Sequence, residues 1–579
     1  MKRLRKYLHG RRLAVTLMIL VGTGNAAAQT GGWLIVRNAI DNGIVAKDTR
    51  YLAISVAVYL AVAAAGWILQ AYLIRGLAAI GQAIVIGLRR DLFDHLTSLS
   101  LRYFSQQKAG WIIARLTSDV DAVSDTLSQG MPTLVSNVIL LPAAVGALFI
   151  ADWRLGLVTL IVLPPALILS RWFQRVSHAA NVEQRNRIGA VTAQIAESVS
   201  GMAVVQAFNR ERRFQAEFDE LNAANREQAT YVQKIFSVFF PSIEFLGVIA
   251  MVAVLALGAH LFAGGSGSLT IGTLITATGL LQLVFQPLQE LSDVYGQLQS
   301  AGAAMVKISS ILDEESEVHD KPGATPLPRI VGDLDLDSIV FAYGKEPVLH
   351  GVSFRLEPGQ CFALVGESGH GKSTLAKLIG RHYDPDQGAV RVDGHDLRDV
   401  ELHSYRRQLG VVLQDPFLFS GTIASNIRFA KPEATDDEVA AAAAAVGVDR
   451  VAARLSGGLD HAVREGGAGL SSGERQLISI ARALLADPRI LVLDEATSNI
   501  DRPTEVLIEL ALDRLLKGRT SIIIAHRLST VRRANEILVV ENGLITQRGS
   551  EAELLGQDGP FRRLAHSLEG GESELAAAG

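Results

Sequence analysis

The chain has 579 residues, of which 49% are hydrophobic and 20% charged, with a formal net charge of -4 at pH 7. That length exceeds one ordinary domain, and the long apolar segments crowd into the first half, so the near-neutral charge averages two parts built for different solvents and identifies no partner. The lone cysteine, Cys361, excludes an intrachain disulfide and reads as a buried, inert thiol.

Six apolar segments are each long enough to cross a bilayer, which takes about 20 residues. They are residues 13–36, 51–75, 132–151, 155–173, 236–263 and 268–288. An even number of crossings returns the chain to its starting side. Met1 to Arg12 is dense in Lys and Arg, which predicts a cytoplasmic amino terminus and a cytoplasmic second half. Basic residues ahead of Leu13 to Val21, with Ala26-Ala-Ala-Gln beyond them, also fit a cleaved signal peptide. Cleavage would leave five spans and put one end of the chain on the wrong side, so the six-span reading is preferred. The spans exclude a soluble protein acting on nucleic acid.

The connections are lopsided. Those after the first, third and fifth spans are short, such as Ala151 to Arg154 and Gly264 to Leu269. Residues 76–131 and 174–235 are long, free of proline, and mix charged with apolar residues at helical spacing, which predicts paired helical arms reaching into the cytoplasm. Residues 314–332 are acidic and then proline-rich (Pro322, Pro326, Pro328) and read as a linker. It separates a membrane domain, 1–313, from a second domain, 333–568; the Gly, Glu and Ala tail, 569–579, is expected to be disordered.

The second domain carries the chemistry. Gly366-Glu367-Ser368-Gly369-His370-Gly371-Lys372-Ser373 follows a strand-like run, Cys361 to Val365, and precedes a helical one opening at Thr374. That is the setting a phosphate loop requires. Its glycines let backbone N–H groups face the phosphates of ATP at a helix amino end, Lys372 reaches the β- and γ-phosphates, and Ser373 is placed to hold Mg2+. Downstream, the strand Ile490 to Asp494 ends in adjacent carboxylates: Asp494 can orient the metal and Glu495 can polarise a water for attack on the γ-phosphate. Thr435-Asp-Asp-Glu438 is a capping box that should open a helix.

Between these motifs lies Leu470-Ser471-Ser472-Gly473-Glu474-Arg475-Gln476, and with it the sequence resembles the ATP-binding cassette family, in its six-helix multidrug and lipid exporter branch. The resemblance implies roles for further residues. Tyr343 would stack on adenine, Gln414 would link the metal and the attacking water to the membrane part, and His526 would contact the γ-phosphate. Ser498-Asn-Ile-Asp501 is similar to the loop that crosses to a partner cassette, and Ser471 and Gly473 would serve the ATP held by that partner. Because the chain has one cassette, the resemblance implies a second half-transporter chain, with homodimer and heterodimer both open. Tyr103 to Gly110 and Asn209 to Phe214 are similar to the coupling tips that dock on cassettes.

The expected fold is an all-α polytopic membrane domain of six transmembrane helices with long cytoplasmic extensions, fused to an α/β P-loop ATPase domain. Its expected function is ATP-driven export of amphipathic small molecules, lipids or peptides. Uptake on the same scaffold and an ATPase partner subunit are the alternatives, and intact Lys372, Asp494, Glu495 and His526 speak against a non-hydrolysing partner. His370 and Ser472 depart from the usual pattern, and the His461-Ala-Val-Arg-Glu465 element keeps mainly its glutamate. Glu244 is the carboxylate in an apolar span that could attract a cationic substrate or pair near the cytoplasmic end.

Overall fold

The computed structural model describes residues 6–7, 9–263, 269–494, 500–525 and 527–566. Glu495, Ser498, Asn499, His526, the loop 264–268 and the tail 569–579 lie outside the described residues. Packing divides the chain into two units: Met1–Thr97 with Lys108–Glu314, and Ser98–Gln107 with Glu315–Gly579.

In hydrocarbon every backbone N–H and C=O needs an internal partner, so an apolar stretch of membrane-spanning length closes into helix. The first unit accordingly consists of helices Arg12–Val45, Thr49–Ser98, Ala109–Ala151, Trp153–Ser200, Glu211–Leu261 and Ile271–Leu312, and each of the six expected spans falls on one of them. The long polar extensions are the proline-free arms. The fourth and fifth helices pair through the stacked rings of Phe173 and Phe239, with centroids 3.8 Å apart. Beyond the rings, Gln228 Nε2 donates to the Ala180 carbonyl (2.9 Å) and Gln184 Nε2 to Asn225 Oδ1 (3.0 Å).

The sixth helix is the hub of this unit: 61% of its apolar window is buried, against 6% for the second. Polar groups lock it in register. Thr276 Oγ1 donates to the Trp33 carbonyl (2.8 Å), Thr126 Oγ1 to the Gln297 carbonyl (3.0 Å) and Asn137 Nδ2 to Glu290 Oε2 (2.9 Å). Gly279 admits the Trp33 ring, which would lie 2.4 Å from any Cβ there.

Both arm tips differ from expectation. The first is α1, Leu101–Gln106, starting before Tyr103, and the helical chain resumes at Ala109. The second is α2, Met202–Ala207, ahead of the expected Asn209–Phe214 segment. There Gly201 ends the long helix, the apolar Met202–Ala207 turn forms, and Asn209, at a φ of 51°, reverses the chain before the next helix begins at Glu211. The remainder of the expected segment, from Glu211 onward, begins the return arm.

Among the described residues the second unit is built on three sheets. A four-stranded antiparallel sheet has the order β2-β1-β4-β5, with β1 Leu334–Ala342, β2 Pro347–Leu356, β4 Gln387–Val392 and β5 His395–Asp396. A six-stranded sheet has the order β12-β11-β3-β10-β9-β6, with β3 Cys361–Val365, β6 Leu409–Val412, β9 Ile490–Asp494, β10 Thr520–Ile524, β11 Glu536–Glu541 and β12 Leu544–Gly549. A small ladder joins β7, Gly421–Thr422, to β8, Ala462–Val463. Strands β3, β9 and β10 are almost wholly buried, as parallel strands covered on both faces must be. Phe362 and Leu364 of β3 pack into one core and Ala363 and Val365 into the other.

Four helices matter to the site: α3 Lys372–Ile379, α4 Asp436–Ala445, α5 Ser472–Ala486 and α6 Arg502–Leu516. The predicted box at Thr435 and Glu438 caps α4, with both reciprocal bonds formed.

Candidate nucleotide site

The parallel register sets the site. Ile524 of β10 pairs with Asp494 of β9, Ile522 with Phe362 of β3, and Val412 of β6 with Leu493. The carboxyl ends of β3, β9 and β6 therefore line up, and Gly366, Asp494 and Gln414 leave the sheet along one edge. Crevices at carboxyl ends of parallel strands are where such sheets bind ligands.

The phosphate loop runs from β3 into α3. Gly366 has a φ of 150°, and a Cβ there would lie 2.2 Å from the Val540 carbonyl oxygen. Gly371 has a φ of 103° at the N-cap of α3, with Leu349 Cδ2 2.7 Å from where a side chain would start. Only glycine satisfies both positions. The loop curls enough for Lys372 Nζ to donate back to the carbonyls of Gly366 (2.6 Å) and Glu367 (2.8 Å). Burial pushes the Lys372 ammonium below the ordinary lysine value, and attraction to Asp494 and Glu367 offsets part of the shift. The residues fit a nucleoside triphosphate: a lysine is held by the carbonyls of a loop that requires glycine at 366 and 371, at a helix amino end.

Glu367, Ser368 and Gly369 are exposed, as is Ser373, while Lys372 and Thr374 are buried. His370 turns toward Glu367, with Nε2 3.9 Å from Oε2, and its backbone carbonyl accepts from Gly543 N–H (3.3 Å). The unusual imidazole is thus accommodated without disturbing the glycines.

Tyr343 stands on the turn after β1, edge-on to Phe341 (5.0 Å) and Tyr383 (5.3 Å). Its hydroxyl lies 3.3 Å from Thr374 Oγ1 at the start of α3, and Lys377 Nζ is 5.4 Å from its ring centroid. The sequence singled out the tyrosine but missed what holds it. Arg102 of α1 donates through Nη2 to the carbonyls of Ala342 (3.1 Å) and Tyr343 (2.9 Å), and through Nη1 to Glu317 Oε1 (2.6 Å). No local motif marks Arg102, because its partners, two backbone carbonyls and the Glu317 carboxylate, lie more than two hundred residues away.

The signature segment opens α5. Ser471 Oγ accepts from Glu474 N–H (3.2 Å), and Glu474 Oε2 accepts from Ser471 N–H (2.9 Å), a capping box that sequence reading also passed over. The bond to Glu474 uses Ser471 Oγ as acceptor and leaves its O–H able to donate. Gly473 is buried against α6, where a Cβ would meet Thr504 Cγ2 at 2.5 Å. Asp501 caps α6, accepting from the N–H (3.2 Å) and Oγ1 (3.0 Å) of Thr504, and these bonds hold its carboxyl below the ordinary range. Glu465 lies in a one-turn helix ending at Gly467. Cys361 is buried in β3, and desolvation pushes its thiol up to about 12, so the thiolate is suppressed at neutral pH.

A phosphate loop beside a strand-end carboxylate, carried on the same chain as six apolar helices, defines an ATP-binding membrane transporter. The comparisons agree. The family described as ABC transporter transmembrane region matches residues 15–288, and that described as ABC transporter matches residues 349–498. A fatty acid ABC transporter ATP-binding/permease protein of Mycobacterium bovis is 37% identical, covering 90% of this chain and 81% of its own. An ATP-dependent lipid A-core flippase of Syntrophus aciditrophicus is 34% identical over 98% of this chain and 94% of its own. A solved bacterial Atm1-family ABC exporter with ATP bound superposes with a TM-score of 0.81 at 28% identity, covering 96% of this chain and 98% of the other. The chain belongs to the ABC transporter family. It is an exporter-type half-transporter, a multi-pass membrane protein with an ATP-binding domain, whose architecture requires a second chain.

Proposed function

We propose that this chain exports amphipathic small molecules or lipids by alternating access, with ATP hydrolysed between two cassettes. The observation that carries the reading is the phosphate loop, with Lys372 held by loop carbonyls beside the strand-end Asp494, on a polypeptide that also supplies its own spans. In this reading residues 1–313 form the membrane domain and 333–568 the ATPase, with 314–332 between them and the amino terminus in the cytoplasm. Lys372 exchanges its bonds to loop carbonyls for phosphate oxygens, and the N–H groups of Gly369 to Thr374 complete the cradle. Ser373, Gln414 and Asp494 would hold Mg2+, which would supply charge neutralisation at the phosphates. Glu495 orients and polarises the attacking water, His526 contacts the γ-phosphate, and Tyr343 packs on the adenine. Ser471, Gly473 and Asp501 face the nucleotide of the partner cassette.

An amphipathic cargo is supported by the relatives named for fatty acid and lipid A-core transport. The second span, with only 6% of its apolar window buried by its own chain, leaves a broad face for hydrocarbon or for a partner's helices. Two copies of this chain make the simplest complete transporter, since one chain already holds every motif of the ATP site.

The test is Glu495→Gln in the full chain in lipid nanodiscs. ATP binding should persist while magnesium-dependent turnover falls by roughly 10²-fold or more, the size of effect expected for loss of a general base. Near-normal hydrolysis would overturn the assignment of Glu495.

A further inference from the structure

The first and second spans, with Leu283 of the sixth, line an open cleft of about 380 Å³, within the size range of small-molecule sites. Its walls combine the rings of Trp33, Tyr59 and Trp67 with the amides of Asn25, Gln29 and Gln70. Helices facing hydrocarbon rarely bury amides without a partner.

Asn25 is only 3% exposed, and one end of its amide is satisfied: Nδ2 donates to Gln70 Oε1 at 2.5 Å. The other end, Oδ1, is buried with no hydrogen-bond partner. A buried acceptor left unmade costs free energy in a low-dielectric setting. It stands near a second lining residue, since a Cβ on Gly66 would lie 3.9 Å from Asn25 Oδ1. The Gln70 bond holds the Asn25 amide, so the unpartnered oxygen has a fixed place.

We propose that this cleft binds the head of an amphiphile bearing a hydroxyl or ammonium hydrogen-bond donor, which Asn25 Oδ1 accepts while the aromatic walls take the apolar body. The assignment deepens the exporter reading by naming a headgroup chemistry, and rests on it only for the identity of the occupant as cargo. The same chemistry suits a transported molecule or a resident bilayer lipid, and the test separates them.

The probe is 11,12-dibromododecan-1-ol and its methyl ether, added to the full chain in phosphatidylcholine nanodiscs, with tryptophan fluorescence followed. The saturable quenching is that part lost in Trp67→Phe. We expect the alcohol to reach half-quenching at about one tenth the concentration of the ether, the effect of one hydrogen bond to a buried acceptor. Asn25→Leu should abolish that advantage. Gly66→Ala, which keeps the amide but sets a methyl group beside it, should reduce the advantage and carries the test if Asn25→Leu fails to assemble. Equal concentrations for alcohol and ether in the unaltered protein, or an advantage retained in both variants, would overturn the site. If the alcohol also stimulates ATP hydrolysis, and Asn25→Leu needs about tenfold more for the same response, the occupant is cargo. Selective quenching without stimulation makes it a resident lipid and still supports the site. Absence of hydrolysis under every condition would instead overturn the exporter reading, while the quenching comparison stands by itself.

Discussion

Gly473→Ala asks what the signature glycine does inside its own chain. The new methyl carbon would lie 2.5 Å from Thr504 Cγ2 and 3.1 Å from Ile500 Cγ2. The first distance is about 1 Å inside the carbon–carbon optimum. Thr504 cannot swing away cheaply, because its N–H and Oγ1 are both tied to Asp501 Oδ2 in the cap of α6. Overpacking of this kind costs about 1–3 kcal/mol, and loosening a helix cap about 1 kcal/mol. A net loss of about 2 kcal/mol in a domain this size lowers Tm by roughly 4–8 °C. Thermal unfolding of the full chain in nanodiscs, followed through the cassette transition with ATPase activity read from the same samples, measures it. Thr504→Ser removes Cγ2 and keeps the hydroxyl, so the double variant should regain most of the lost Tm. An unchanged Tm in Gly473→Ala, or no recovery in the double variant, would refute the packing argument. Recovered Tm with hydrolysis still missing would show that the glycine also serves the nucleotide of the partner cassette.

Arg102→Ala removes the donor that fixes the Ala342 and Tyr343 carbonyls, so the ATP dissociation constant should rise about threefold to tenfold with kcat nearly unchanged; an unaltered constant would remove Arg102 from the support of Tyr343. Burial, with smaller repulsions from Arg406 and Lys377, pushes the His382 imidazole down to about 4 from an ordinary 6.5, so its contribution to stability is complete above pH 6.5 and is lost as pH falls through 4. The cassette Tm should therefore drop between pH 6.5 and 4 by the equivalent of up to roughly 3 kcal/mol, and a His382→Gln variant that keeps the whole acid slope would disprove it.

The legible part of this protein is the part encoded locally. Span lengths follow from runs of apolar residues, the helix opened at Thr435 from a four-residue box, and the phosphate loop from glycines flanked by a strand and a helix. What escaped reading was either long-range or disguised. Arg102 gains meaning only when the chain brings it to carbonyls at positions 342 and 343. The second short helix lies a few residues ahead of the expected segment, because the break at Gly201 and the left-handed Asn209 that bound it carry no pattern of their own in the sequence. The Asn25 and Gln70 pair was visible only as two amides in separate spans, since nothing in either span states that they face each other.

The signature motif shows why pattern alone overstates function. Ser471 caps α5, Gly473 admits α6, and Asp501 caps α6, so each residue has a complete local reason to be what it is. Those local roles are compatible with the role proposed for these residues toward a partner's nucleotide. The capping box fixes Ser471 Oγ as an acceptor from Glu474 N–H, which leaves its O–H able to donate. The close approach at Gly473 holds α5 against α6, so that the helix amino end, with its partial positive charge, stands at a fixed place and angle. A residue that merely touched the nucleotide would lose binding when altered. A residue that builds the platform loses folding stability first and binding second, and that order of loss is what the Gly473 and Thr504 pair of variants reads.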